Sequence, residues 1–181
     1  MSTRITTGKV RFSYVHIFKP YAYQPGQDEK YSICLLIPKK DEKTVRKIRS
    51  AISDAIEDGI ESRWGGKKPK NLWNPLRDGD EEKAEERPEY KGMYFLNAKS
   101  DMKPPVFDQD GEEVLDPGEV YSGCWGKAIV EFYTFDNSGN KGVGVGLRGI
   151  KKTQDDEPLG GSARVTADDF EEDDEDDEDD F

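Results

Sequence analysis

The chain is poor in the residues on which most enzymes and metal sites depend. It has one histidine, His16, and two cysteines, Cys34 and Cys124, far apart in runs that read as strands. They form no CxxC pair, so neither a disulfide framework nor a structural zinc site is expected; two reduced thiols in a cytosolic protein fit better. A Ser-His-Asp or Cys-His centre would have to use His16, which lies mid-strand with no motif around it. No apolar run approaches the ~20 residues of a membrane-spanning helix, and no signal-type apolar stretch follows Met1. Neither a membrane nor a cofactor is expected as a partner.

Basic residues are outnumbered, 27 Lys+Arg against 39 Asp+Glu, for a net charge of −12. The imbalance is local. The last fourteen residues, Asp168 to Phe181, hold 12 of the acids and no base, so the rest of the chain balances 27 against 27. The 181 residues suffice for one domain of ordinary size with appendages. We read residues 1–153 as the body and 154–181 as a disordered linker and acidic tail.

Within the body, Ile5 to Phe18 alternates, with Val10, Phe12 and Tyr14 on one face and Lys9, Arg11 and Ser13 on the other, as a half-buried strand does. Tyr31 to Ile37 is more uniformly apolar and reads as a central strand. Asp41 then caps an amphipathic helix whose stripe is Val45, Ile48, Ile52, Ile56 and Ile60, widened by Ala51 and Ala55 and closed by Gly65-Gly66. Further strands are expected at Met93 to Ala98, Val106-Phe107, Val120 to Phe135 and Gly142 to Ile150. A hairpin turn at Asp136 to Asn140 joins the last two. Five or six strands with one helix, and no alternating βα rhythm, predict a mainly β fold: a small OB-fold-like Greek-key barrel.

Residues 63–92 form a long polar insertion with divided charge. Arg63 to Arg77 carries five bases, no acid, and two tryptophans; Asp78 to Glu89 carries seven acids against Lys83 and Arg87. The basic half is expected to order on a partner and the acidic half to stay mobile.

Three motifs lose to plainer readings. Gly144 to Gly149 matches GxGxxG, yet those glycines lie inside a hairpin strand and open no helix, which excludes a dinucleotide site. Glycines on one strand face mark a bend or a close approach by something flat. Asp108 to Gly111 resembles the start of a calcium loop, but its glycine comes early and no acid follows at the twelfth position, so it is a turn. The body's acids fall mostly in loops, where a two-metal site is hard to build.

The aromatic and basic residues carry more. Sequence-tolerant binding of single strands needs cations along the phosphates and flat rings to stack bases. The candidates are Arg63, Trp64, Lys67, Lys68, Lys70, Trp73, Arg77, Tyr94, Lys99, Lys103, Trp125, Tyr133, Arg148, Lys151 and Lys152, with Tyr21 and Tyr23 beside them. Trp64 and Trp73, in a Lys-rich loop without apolar periodicity, are expected to make surface contact. Phe12, Phe95 and Phe132 are expected in the core.

The acidic run is nearly uninterrupted and ends on an aromatic: Asp176, Asp177, Glu178, Asp179, Asp180, Phe181. Extended at ~3.5 Å per residue, the tail reaches about 50 Å, enough to cross the face of its own domain. It can compete with a nucleic acid for a basic groove, or present Phe181 with its carboxylates to another protein.

Together the opening TGKVRFSYVHIFKP, the strand YSICLLIPK with its helix, the stretch VYSGCWGKAIVEFYTFDNSGNKGVGVGLRGIKK and the Phe-ended acidic tail resemble bacteriophage single-stranded DNA-binding proteins of the OB-fold kind. The resemblance implies a non-enzymatic protein that coats single-stranded DNA in phage replication or recombination, in the host cytoplasm. Its tail would contact replication or recombination proteins, and a homodimer is among the assemblies it allows. One departure stands out: the long helix follows the second strand run, whereas the simple OB order has it after the third. Either the first run bends into two strands or the barrel is elaborated. Two rival classes remain, an acidic-tailed chaperone or decoy without a nucleic-acid groove, and a Mg²⁺-dependent nuclease.

Overall fold

A computed structural model describes residues 3–159, and the expected tail, Asp176 to Phe181 included, lies outside them. The elements are β1 (Arg4–Thr6), β2 (Val10–Tyr21), β3 (Lys30–Pro38), α1 (Glu42–Ser62), β4 (Arg77–Asp78), α2 (Gly79–Glu82), β5 (Met93–Ser100), β6 (Val106–Phe107), β7 (Trp125–Asn137) and β8 (Asn140–Gln154). β2 runs antiparallel to β3, and β3 to β5; β5 is parallel to β8, β8 antiparallel to β7, and β7 returns to β2. That closed circuit of five strands is the OB-fold barrel. The short β1, β4 and β6 extend it along β7, β5 and β8. The long helix sits between the second and third barrel strands, so the barrel is an elaborated one. Its strand order is complete without dividing β2.

Alternation fills the barrel. Phe12, Ile33, Leu35, Ile37, Leu96, Phe132, Val145 and Leu147 are all buried in one cluster, and α1 closes it with Val45, Ile48, Ala51, Ile52 and Ala55. Asp41 caps α1: its carboxylate accepts from the Thr44 amide at 3.1 Å and from the Thr44 hydroxyl at 2.7 Å. Toward its end the buried face drifts from Ile56 and Ile60 to Ala55 and Gly59. A Cβ at Gly59 would stand 2.7 Å from the Thr134 methyl, so a bare backbone is what lets the helix lie against β7. Gly65 and Gly66, both at positive φ, then turn the chain away.

Several expectations are corrected. The first run is two strands, since the chain breaks pairing at 7–9, and Tyr14 leaves the inner face. Its φ of 47° sits in a register shift that hands the core to Ile17 instead. The strand expected from Val120 begins at Trp125, after a 3₁₀ turn. The acidic half of the insertion is packed rather than mobile. Tyr90 is buried edge-on to Phe95, at 5.3 Å between ring centres, in a second cluster with Cys34 and Leu36 on the outer face of β3–β5. Lys39 holds Asp78 at 2.6 Å and Asp80 at 2.8 Å. Both carboxyls sit below their ordinary range, chiefly through these hydrogen bonds. Residues 155–159, read from sequence as the start of the linker, are tied to the body, with the Leu159 amide donating to the Ser122 carbonyl at 2.9 Å.

Candidate nucleic-acid interface

In an OB barrel the outer face of the second and third strands, flanked by the first–second and fourth–fifth strand loops, takes oligonucleotides. Here those parts are β3, β5, the 22–29 segment and the β7–β8 hairpin. Period-two alternation turns Ser32 of β3 and Asn97 and Lys99 of β5 outward, between the buried Ile33, Leu96 and Ala98. They lie along a cleft of about 870 Å³ whose walls carry four aromatic rings, Tyr23, Trp73, Tyr133 and Phe135, with Lys30 beside Lys99. The cleft continues past Tyr133 into a depression of about 480 Å³ that adds Lys103 and Arg148. At the other side Tyr21, Tyr23 and Gln27 extend it toward the 22–29 segment.

Local structure explains how the rings come to stand there. Trp73 belongs to the insertion, but its backbone is sewn to the hairpin: its amide donates to the Lys141 carbonyl at 2.9 Å, and its carbonyl accepts from Val143 at 3.1 Å. The side chain stays 51% exposed, with the Arg77 guanidinium 4.2 Å from the ring centre. Arg77 is in turn held by Glu82. On β8 the glycine face supplies clearance, because a Cβ at Gly144 would stand 2.6 Å from Cζ of Tyr133. At Gly142 and Gly144 the flat objects that approach are the chain's own Trp73 and Tyr133, whereas Gly146 faces Arg148. Tyr21 is stacked on His16 at 4.3 Å and 6°, with Tyr23 edge-on to both. Burial lowers the His16 pKa from its ordinary value, which favours the neutral ring.

The cations are only partly neutralised. Lys30 pairs with Asp101 at 3.0 Å and Arg148 with Glu131 at 2.9 Å. Lys103 lies 5.1 Å from the Phe18 ring centre. Among the described residues Lys99 forms no ion pair. A channel with stacking rings and available ammonium groups can hold a flexible polyanion with flat substituents.

The candidates from sequence thus divide. Trp73, Lys99 and Tyr133 meet in the cleft, and Lys103 and Arg148 lie on its continuation. Arg77 backs Trp73, and Lys70 lines a depression on that side. Lys67 and Lys68 are exposed in the turn after α1, away from the cleft walls. Arg63 donates to the Thr134 hydroxyl at 3.4 Å. Trp64 is not the surface contact expected: it is half-buried against Gly59, with its indole nitrogen buried and without a hydrogen-bond partner among the described residues. Tyr94 packs on the core between Lys39 and Arg49, at 5.1 and 5.4 Å. Trp125, Lys151 and Lys152 lie where the start of β7 meets the end of β8. Lys30 and Phe135 were overlooked. Polar residues at alternate positions of otherwise apolar strands (Lys30 and Ser32, Asn97 and Lys99) were the available signal.

Comparison with known proteins bears on this geometry. The family model described as Enterobacter phage Enc34, ssDNA-binding protein, matches residues 3–181. Protein p50 of Acyrthosiphon pisum secondary endosymbiont phage 1 is 30% identical over 179 residues, covering 93% of each chain. Among solved structures, the single-stranded DNA-binding protein from bacteriophage Enc34 in complex with ssDNA is 31% identical with a TM-score of 0.76, over 87% of this chain and 90% of that one. The single-stranded DNA-binding protein gp2.5 of bacteriophage T7, at 17% identity, shares the fold with a TM-score of 0.63 over 95% of this chain and 94% of its own.

Proposed function

The chain belongs to the family of the Enterobacter phage Enc34 ssDNA-binding protein, and on that premise we propose that it is a non-enzymatic protein that binds single-stranded DNA in the cleft over β3 and β5. Bases stack on Tyr23, Trp73 and Tyr133, while Lys30, Lys99, Lys103 and Arg148 follow the phosphates. The observation that carries this reading is the convergence of four rings and two lysines in one cleft on the outer face of β3 and β5. Stacking reads no base edges, so sequence preference is slight, and phosphate neutralisation releases counterions, so affinity falls with salt. The role is that of a coat on single strands during phage genome replication or recombination. The tail, Asp168 to Phe181, competes with DNA for the cleft and recruits replication or recombination proteins through its Phe-ended acidic end.

A salt-dependent fluorescence titration with poly(dT), on the full chain and on a variant ending at Ala167, tests both parts. Tail removal should tighten binding at low salt. Equal affinity of the two proteins removes the competition role. A truncated body that binds no oligonucleotide removes the cleft reading and favours a protein-binding decoy.

A further inference from the structure

Residues 155–159 leave β8 and lie back across β2 and β7, and what they cover resembles the cleft in composition. The Trp125 ring has Lys9 at 5.7 Å and Arg11 at 5.9 Å from its centre. Its indole N–H donates to the Asp156 carboxylate at 2.8 Å, which also lies 3.6 Å from the Arg11 guanidinium. Lys152 holds Asp155 at 2.6 Å, and the Tyr121 hydroxyl donates to the same carboxylate at 2.8 Å. Four donors of cation or ring type thus converge on two consecutive carboxylates. Beyond them Leu159 packs on the apolar patch of Cys34, Leu36 and Phe95.

That patch joins the two places. Asn97 of the cleft pairs with Cys34, Cys34 pairs with Ser13, and Arg11 lies two residues along from Ser13. Two strand spacings of about 4.8 Å and two residues of about 3.3 Å separate the cleft floor from Arg11, on the order of 12 Å, across ground on which Tyr90, Tyr14 and Leu159 are packed. A strand leaving the cleft needs only a few nucleotides to pass over these side chains.

We infer that Lys9, Arg11, Trp125 and Lys152 form a second subsite for single-stranded DNA, and that residues 155–159 occupy it in the free protein as a pseudo-strand. Asp155 and Asp156 stand where phosphates would sit, and Leu159, together with Tyr90 and Tyr14, covers the apolar ground between the subsites. A long strand displaces this segment; a short one, held in the cleft alone, does not. The inference rests on the cleft being the primary site.

The test measures anisotropy of labelled oligo(dT) of about six and about thirty nucleotides, lengths that bracket one barrel's footprint. The proteins are the full chain, Asp155→Asn/Asp156→Asn, and Asp173→Asn/Asp174→Asn as a control of equal charge change. Releasing Arg11 from Asp156 and Lys152 from Asp155, with Glu119 still 3.6 Å from Lys152, should tighten long-oligonucleotide binding about fivefold beyond the control, with no such excess on the short one. Adding Trp125→Ala, or Lys9→Gln at an exposed position the fold does not depend on, should abolish the excess. Equal gains in the two charge variants, or an excess that survives both additions, overturn the inference. Failure of the cleft itself reads out separately, as short-oligonucleotide binding that Trp73→Ala leaves unchanged.

Discussion

Replacing Trp73 by alanine isolates stacking from charge and from fold. The residue is held by its backbone, through Lys141 and Val143, so truncating the side chain leaves the insertion attached. Half of the ring is in solvent, and its loss should lower stability by only about 1 kcal/mol. A stacked base contributes ~1–3 kcal/mol, which converts to a dissociation constant raised about five- to 150-fold. Because no charge is removed, the salt dependence should keep its slope. The assay is anisotropy of labelled oligo(dT) across a salt series, since a tryptophan variant alters intrinsic fluorescence, with thermal unfolding by circular dichroism alongside. Trp73→Phe should fall between wild type and alanine. An unchanged dissociation constant in a folded Trp73→Ala variant would refute the claim that this ring contacts bases.

Lys99→Ala should do the converse, lowering the slope of log affinity against log salt by about 0.7, the counterion contribution of one phosphate contact on a single strand, in the same titrations. Gly144→Ala should weaken binding as Tyr133→Ala does, because the new methyl would stand 2.6 Å from the tyrosine ring and the ring must move; near-equal dissociation constants for the two variants check this. Cys34 and Cys124 should resist alkylation at pH 8 until the protein is unfolded, as mass spectrometry can follow. Burial keeps both thiols protonated, Cys34 being pushed up to about 12.

Local patterns made parts of this molecule legible in advance. Asp41 and the Ile48–Ile52 spacing announced α1, and Asp136 to Asn140 announced the hairpin, because caps and turns depend on neighbours within a few residues. Trp73 and Trp64 show where such reading stops. Both sit in the same Lys-rich stretch, yet one is pinned open against the hairpin while the other folds under the end of α1 against Gly59. Nothing adjacent distinguishes them. Tyr14 likewise continued the alternation on paper, and a bulge opposite β3 took it out.

The amino-acid order alone settled the separation of charge into a neutral body and a polyanionic end, the helix, the hairpin and the mainly β class, since each arises from composition or short-range periodicity. Which rings share a cleft was decided only when β8 paired with β5 and closed the barrel, setting Tyr133 across from Lys99 and bringing Trp73 onto the hairpin from far along the chain. Contacts of that span depend on the register of strands distant in sequence, and no window of neighbouring residues encodes them.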